Sequence, residues 1–155
     1  MDDASPDLNS VKPLPPGHRR GSVEFQDARR AARRYLESHN WVSAIKSEYL
    51  GYRLDGVIYV FLFEFVPAEP NVPSWTWVIV GDVPSAYISC HHAKTPYVAL
   101  DGYIGAMEEW VEAAREGKSV EEIIPVNVPP TPAYADMLGG RLKFLDDNVL
   151  PLLRK

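Results

Sequence analysis

The sequence predicts an α+β fold with an N-terminal helix, a four-stranded antiparallel β-meander and two long C-terminal helices packed on the sheet. The dipeptide Asp55-Gly56 stands between two runs of β-branched and aromatic residues, which is a strong local signal for a β-hairpin. Two later segments each begin with a Thr-Pro pair and continue with apolar residues three and four positions apart, which is typical of capped amphipathic helices. The length of 155 residues suits one domain.

The first 21 residues differ in composition from the rest of the chain. They contain four prolines and few large apolar residues. We therefore expect a disordered proline-rich arm over 1–21 and a single α+β domain over 22–155. Ser22 can cap a first helix that runs to about Ser38. Its apolar stripe comprises Phe25, Ala28, Ala32 and Tyr35 or Leu36.

The hairpin is expected to turn on two residues, because a type I′ turn requires positive φ at both central positions and Asp55-Gly56 suits them. Such a loop pairs Leu54 with Val57 and determines the register of both strands. Strand-like segments follow over 75–80 and 85–90. Their connections are too short for a crossover, so the pairing should be antiparallel throughout.

Two C-terminal helices complete the predicted fold. The first begins at Thr95-Pro96 and ends at Gly117, a residue that favours the left-handed end of a helix. The second begins at Thr131-Pro132 and ends before Pro151. Its expected buried stripe comprises Tyr134, Leu138, Leu142, Leu145 and Val149.

Composition and the termini favour a cytoplasmic protein. The single cysteine, Cys90, excludes an internal disulfide, and a reducing compartment is then the default expectation. The N-terminus is acidic and lacks the apolar run of a secretory signal. The longest nearly apolar stretch, 57–66, is much shorter than the roughly 20 residues of a membrane-spanning helix. We expect no membrane partner.

Cys90, His91 and His92 form a cluster of reactive side chains. Neighbouring side chains on a strand point to opposite faces, so the thiol and the adjacent imidazole should not meet. The sequence also lacks a phosphate-binding glycine loop, a nucleophile motif and the usual spacing of metal ligands. It therefore predicts no metal and no cofactor, and it favours a protein that is not an enzyme.

Glu64 interrupts an otherwise apolar strand. A carboxylate in such a strand must be paired, hydrogen-bonded or protonated. The predicted register places Tyr49 and Arg53 on the same face, so these three residues could line the pocket of a small-ligand-binding protein or a small enzyme. The alternative is that Glu64 lies at the end of the strand, opposite Ser47, and reaches water.

Arginines concentrate around the first helix, where the sequence has six basic residues and only two acidic ones, Glu24 and Asp27. These arginines are Arg19, Arg20, Arg29, Arg30, Arg33 and Arg34. They make nucleic-acid binding a third hypothesis. The formal charge of −5 and the acidic remainder of the chain instead favour a solvated helix face.

Acidic residues concentrate in the first C-terminal helix, at Glu108, Glu109, Glu112 and Glu116. Their spacing places them on one exposed stripe, where like charges cost some helix stability. A basic partner could meet this stripe, and the pattern is equally compatible with an ordinary solvated helix face. Trp75, beside a proline-rich loop, is a candidate anchor for a partner. The leading hypothesis is therefore a non-catalytic protein-binding module of the bacterial immunity or inhibitor type, acting by surface complementarity.

Overall fold

The computed structural model describes residues 5–15 and 21–153 and confirms the α+β class. All strands belong to one antiparallel sheet in the order β1-β2-β3-β4-β5. The elements are a 3₁₀ turn (Leu8–Ser10), β1 (Lys12–Leu14), α1 (Val23–Glu37), β2 (Val42–Leu54), β3 (Ile58–Pro67), β4 (Trp75–Gly81), β5 (Ala86–Ser89), α2 (Pro96–Glu116) and α3 (Pro132–Phe144). A π-helical turn (Leu145–Val149) continues α3 into α4 (Leu150–Leu153).

The sheet has five strands where the sequence predicted four. The additional strand, β1, comes from the proline-rich arm and pairs with Glu48–Leu50 of β2. It escaped prediction because three residues around Pro13, which lacks an N–H group, show no strand-like alternation. The remainder of the predicted disordered arm, 1–4 and 16–20, lies outside the described residues.

The hairpin lies where it was predicted, but its loop has three residues instead of two. Leu54 pairs with Ile58, not Val57. Gly56 takes a positive φ of 79°, whereas Asp55 does not, so a type I′ turn is excluded. A β-bulge at Gly51 then shifts the register by one residue, and the predicted pairing of Leu50 with Phe61 is restored beyond it.

The longer hairpin loop and the bulge at Gly51 each shift the register by one residue. The residues of β2 between them therefore face the side of the sheet opposite to the predicted one. Arg53 pairs with Tyr59 and lies on the α1 side of the sheet, where its guanidinium carbon is 4.4 Å from the ring centroid of Phe25. The prediction that Arg53 shares a face with Tyr49 and Glu64 is therefore wrong. The prediction assumed regular alternation along the strand. A bulge adds one residue, which moves every following side chain to the opposite face of the sheet.

Helices cover both faces of the sheet, α1 on one side and α2 on the other, whereas the sequence suggested helices on one face only. Residues Ile58–Phe63 of β3 are all buried. One core lies between the sheet and α1 and includes Phe25, Leu36, Phe61, Phe63 and Val78. The other lies under α2 and α3 and includes Leu62, Trp77, Leu100, Tyr103 and Trp110.

The prediction that both C-terminal helices pack on the sheet is correct for α2. α3 packs chiefly against α2. It is also tied to the turn before β5, because Arg141 Nε donates to Asp82 Oδ2 at 3.0 Å. The predicted caps are present: the hydroxyls of Ser22, Thr95 and Thr131 each accept a backbone N–H three residues ahead.

Asp55 connects the hairpin turn to the start of α1. Its carboxylate accepts hydrogen bonds from Arg53 Nη2 (2.7 Å) and Nε (3.0 Å) and from Ser22 Oγ (2.7 Å). The bonds from Arg53, and then that from Ser22, hold the pKa of Asp55 below its ordinary value. The carboxylate therefore stabilises the folded state when it is ionised.

The Asp55→Asn variant should be less sensitive to acid than the wild-type protein. A lowered folded-state pKa contributes stability above the unfolded-state pKa and loses it as the pH falls through the folded value. The wild-type urea midpoint should therefore fall more steeply than that of Asp55→Asn below about pH 4. Asp101→Asn, at an exposed aspartate, is the control; equal acid slopes for all three proteins would contradict the role of Asp55.

Candidate protein-binding surface

Four glutamates of α2 line one open groove, here called the acidic groove. Glu108, Glu109, Glu112 and Glu116 are exposed, while the opposite side of the helix is buried in the core. The groove has a volume of about 410 Å³, and Ala113, Lys118 and Ile123 also line it. The sequence prediction of one exposed acidic stripe agrees with this placement.

The acidic groove lies in the part of the chain that carries its net charge. Residues 101–122 include seven acidic and two basic residues, a balance of −5 that equals the formal charge of the whole chain. Lys118 Nζ pairs with Glu116 Oε1 at 2.8 Å, and this hydrogen bond raises the pKa of Lys118. Among the described residues, the carboxylates of Glu108, Glu109 and Glu112 have no ion-pair partner.

The position of these charges opposes the stability of α2. The helix ends at Glu116, so Glu112 and Glu116 lie in its last turns, where the helix dipole favours cations. Glu108 and Glu112, and then Glu112 and Glu116, are also like-charged neighbours four residues apart. Each of these interactions costs a few tenths of a kcal/mol, about 0.2–0.5 for each like-charged pair. Arg115 in the last turn and Lys118, which pairs with Glu116, offset part of this cost, so the unfavourable contribution comes mainly from Glu108 and Glu112.

Trp75, the predicted aromatic anchor, does not line the acidic groove. It is half-buried at the start of β4, and its ring centroid is 5.8 Å from that of Tyr49. It borders a different cavity of about 270 Å³, together with Trp41, Val72 and Tyr87. The two parts of the sequence-predicted binding surface therefore line separate cavities.

Glu64 lies at the strand end opposite Ser47, the arrangement considered as the alternative to a ligand pocket. Ser47 Oγ donates to Glu64 Oε1 at 3.0 Å, and Lys46 Nζ lies 3.5 Å from Glu64 Oε2. Tyr49 shares this face of the sheet, but Arg53 lies on the other one. The structure does not bring the three predicted pocket residues together.

Two arginines of α1, Arg29 and Arg33, take part in an ion network around the buried Glu48 that the sequence did not reveal. Arg29 Nε donates to Glu48 Oε1 at 2.7 Å, and Arg29 Nη2 donates to the carbonyls of Leu14 (3.2 Å) and Pro15 (3.0 Å). Arg33 also pairs with Glu48. The network joins β1, α1 and β2. The feature of the sequence that could have revealed this network is Glu48 itself, a glutamate that lies opposite Phe63 on the aromatic face of β2.

The remaining members of the arginine group are at the surface or outside the described residues. Arg30 pairs with Asp27, and Arg34 is exposed in the last turn of α1. Arg19 and Arg20 lie outside the described residues. Since Arg29, Arg30 and Arg33 all contact carboxylates, much of the positive charge expected on this helix is neutralised within the fold.

Cys90 and the two following histidines are separated by burial. Cys90 is in the core, whereas His91 and His92 are exposed. Over residues 5–15 and 21–153, no three His, Cys, Asp or Glu side chains group as metal ligands, and no helix is long and apolar enough to cross a bilayer. The chain matches no protein-family model, no curated protein and no solved structure.

Proposed function

We propose that the protein is a non-catalytic binding module of the immunity or inhibitor type, which acts in the cytoplasm and uses the acidic groove to bind a basic surface of another protein. The observation that supports this is the charge pattern at the end of α2. Glu108, Glu109 and Glu112 are exposed there and have no ion-pair partner among the described residues, and like charges at this end of a helix reduce its stability. Departures from locally stable patterns are characteristic of functional sites.

The spacing of the glutamates in the groove supports a partner with a basic surface. Glutamates four residues apart are separated by about 6 Å along the helix axis, so a row of lysines or arginines can meet them one by one. Ala113 and Ile123 add apolar surface at the wall of the groove. Binding of this kind is steered by charge and weakens as salt concentration rises.

The other two functions suggested by the sequence have no comparable support. A pocket formed by Glu64, Tyr49 and Arg53 would require all three residues on one face of the sheet. Arg53 lies on the face opposite to that of Glu64 and Tyr49. A nucleic-acid surface on α1 would require arginines that instead contact Asp27 and Glu48.

The proposal is tested by affinity capture with three bait proteins. The groove variant carries glutamine at positions 108, 109, 112 and 116. The control removes four exposed carboxylates elsewhere, with the substitutions Glu24→Gln, Glu37→Gln, Glu69→Gln and Asp146→Asn. We expect a partner that binds the wild-type bait and the control but not the groove variant.

Direct binding measurements on the captured, purified partner complete this test. The affinity should fall steadily between low and physiological salt, since the contact is between exposed charges. A partner held equally by the wild-type protein and the groove variant would contradict the proposed surface. The absence of any partner specific to the wild-type and control baits would contradict the function itself.

The Glu112→Lys variant should be more stable than the wild-type protein and bind its partner more weakly. The substitution replaces two repulsions with attractions and puts a cation near the helix end, which together should raise the free energy of unfolding by about 0.5–1.5 kcal/mol. Thermal unfolding measures this change. Glu24→Lys, in the first turn of α1, is the matched control and should destabilise because the dipole there favours anions. A destabilised Glu112→Lys protein would refute the electrostatic account of α2.

A further inference from the structure

Aromatic side chains from four parts of the chain line one cavity of about 270 Å³, here called the aromatic cavity. It lies where β3 ends and β4 begins, and these side chains are Trp41, Phe65, Trp75 and Tyr87. The ring centroid of Trp41 is 4.9 Å from that of Tyr87 and 5.5 Å from that of Phe65. The two pairs of ring planes are inclined by 63° and 60°, so the rings border the cavity from different directions.

A second layer of contacts holds two of these rings in place. The ring centroid of His39 lies 5.0 Å from that of Trp41 and 5.2 Å from that of Tyr87. His39 is itself held by the carbonyl oxygen of Tyr35, which accepts a hydrogen bond from Nδ1 at 2.9 Å. Tyr87 is 43% exposed and Phe65 is buried, so the cavity has a closed floor and an open rim. The walls are therefore formed before a ligand arrives.

The aliphatic hydroxyls that line the aromatic cavity already have hydrogen-bond partners. Thr76 Oγ1 donates to the carbonyl oxygen of Ile88 at 3.2 Å. Ser89 Oγ accepts the backbone N–H of His91 at 3.0 Å. None of the described residues that line the cavity is charged. The aromatic rings are therefore the main groups left to attract a ligand.

The charge around the aromatic cavity favours a positive ligand. The loop between β3 and β4, residues 68–74, contributes Val72 and Pro73 to the wall. Its only charged residue is Glu69, whose carbonyl oxygen accepts the N–H of Val72 at 3.2 Å. The faces of aromatic rings are themselves negative and attract cations. The formal charge of −5 on the whole chain acts in the same direction.

We propose that the aromatic cavity binds a trimethylammonium group, carried either by a small molecule such as choline or by a trimethylated lysine. Surrounding aromatic rings attract a quaternary ammonium ion by their negative faces. This ion has no N–H group, so it needs no hydrogen bond from the wall. A primary ammonium, by contrast, is strongly hydrated and would lose hydrogen bonds that the wall does not replace. The cavity shares no lining residue with the acidic groove, so the inference does not rest on the function proposed above.

Titration of the isotope-labelled full chain with choline, followed by the NMR signals of the indole N–H groups, tests the proposal. The signals of Trp41 and Trp75 should shift with one common dissociation constant. The signal of Trp77 is the internal reference and should not move, because its Nε1 donates to the carbonyl oxygen of Ala93 in the core. The absence of a saturable shift at Trp41 and Trp75 overturns the proposal.

The neutral tert-butyl analogue of choline, in which carbon replaces the nitrogen, tests the role of charge. It has the same shape as choline but no attraction to the ring faces beyond apolar contact. We expect it to bind about tenfold more weakly than choline. Equal affinities for the two compounds overturn the proposal, because the cavity would then be an ordinary apolar site.

A third pair of ligands distinguishes the two sources of the trimethylammonium group. The acetylated amide of trimethyl-lysine should bind more tightly than choline if the natural ligand is a modified protein, and more weakly if it is a small molecule. The corresponding amide of unmodified lysine should bind more weakly than the trimethylated one. Equal binding of the two lysine derivatives overturns the proposal, since the methyl groups would then contribute nothing.

Substitution of one exposed ring assigns the binding to this cavity. Tyr87→Leu should weaken choline binding about fivefold or more, because it removes a ring and keeps an apolar side chain. Tyr134→Leu is the matched control, since Tyr134 is 41% exposed and lines a separate groove. An unchanged Trp77 signal shows that each variant is folded. Equal affinities of Tyr87→Leu and the wild-type protein, or an equal loss in both variants, overturn the assignment.

Discussion

Replacing Glu48 by alanine is expected to lower the free energy of unfolding by about 3–5 kcal/mol, because removing one partner of a buried ion pair leaves the other charge uncompensated. Glu48 is 7% exposed and neutralises both Arg29 and Arg33. Burial also lowers the pKa of Arg29, since desolvation disfavours its charged form. Without Glu48, the buried guanidinium would keep only its backbone partners.

Glu37→Ala is the control for this experiment. Glu37 also faces Arg33, at 3.8 Å, but it is exposed, so its loss should cost less than about 1 kcal/mol. Urea unfolding followed by circular dichroism measures both variants. Similar losses in the two would show that the Glu48 network is no stronger than a surface ion pair. The double variant Arg29→Met, Glu48→Leu should recover much of the lost stability, since it removes both buried charges.

Replacing Gly81 by alanine is expected to destabilise the protein by at least about 2 kcal/mol. Gly81 has a φ of 143°, and a Cβ atom there would lie 2.9 Å from Ile58 Cα and in contact with the carbonyl oxygen of Val57. Both obstacles are backbone atoms of the facing hairpin, so they cannot move aside as a flexible side chain would.

Replacing Gly102 by alanine should instead increase the stability of the protein. Gly102 lies within α2 and has open space around its Cα, so alanine should stabilise the helix by about 1 kcal/mol. Comparing the thermal unfolding of the two variants separates backbone geometry from the general effect of removing a glycine. A stable Gly81→Ala protein would mean that the β3–β4 contact tolerates a Cβ atom.

The hairpin shows how far local signals reach in this chain. Asp55-Gly56 correctly located the turn, since Gly56 readily takes positive φ. The bulge at Gly51 depends instead on a distant segment. A Cβ atom at Gly51 would be 2.9 Å from Pro96 Cγ and 3.1 Å from the carbonyl oxygen of Val60. Glycine therefore lets the first turn of α2 pack on β2. A glycine within a strand signals a bulge or a close backbone contact, but it does not identify the neighbour that makes the contact.

The exposed surfaces of α2 and α3 also differ in how far the local sequence predicts them. The acidic stripe on α2 could be predicted because helical spacing alone places its glutamates together. The exposed apolar side of α3 could not. Tyr134 was expected in the buried stripe, but the structure leaves it exposed beside Met137. Which side of a helix is buried depends on the neighbour it packs against, here α2, and this neighbour cannot be identified from the periodicity of α3.

Local patterns in the chain were enough to predict the α+β class, the capped helices, the position of the hairpin and the concentration of negative charge on α2. Each of these follows from residues within a few positions of one another. Long-range contacts were needed to show that the arm supplies β1, that Arg53 and Glu64 lie on opposite faces of the sheet and that Glu48 pairs with two arginines. These features join segments far apart in the chain, and they form because buried backbone and charged groups must find partners wherever the fold brings them together.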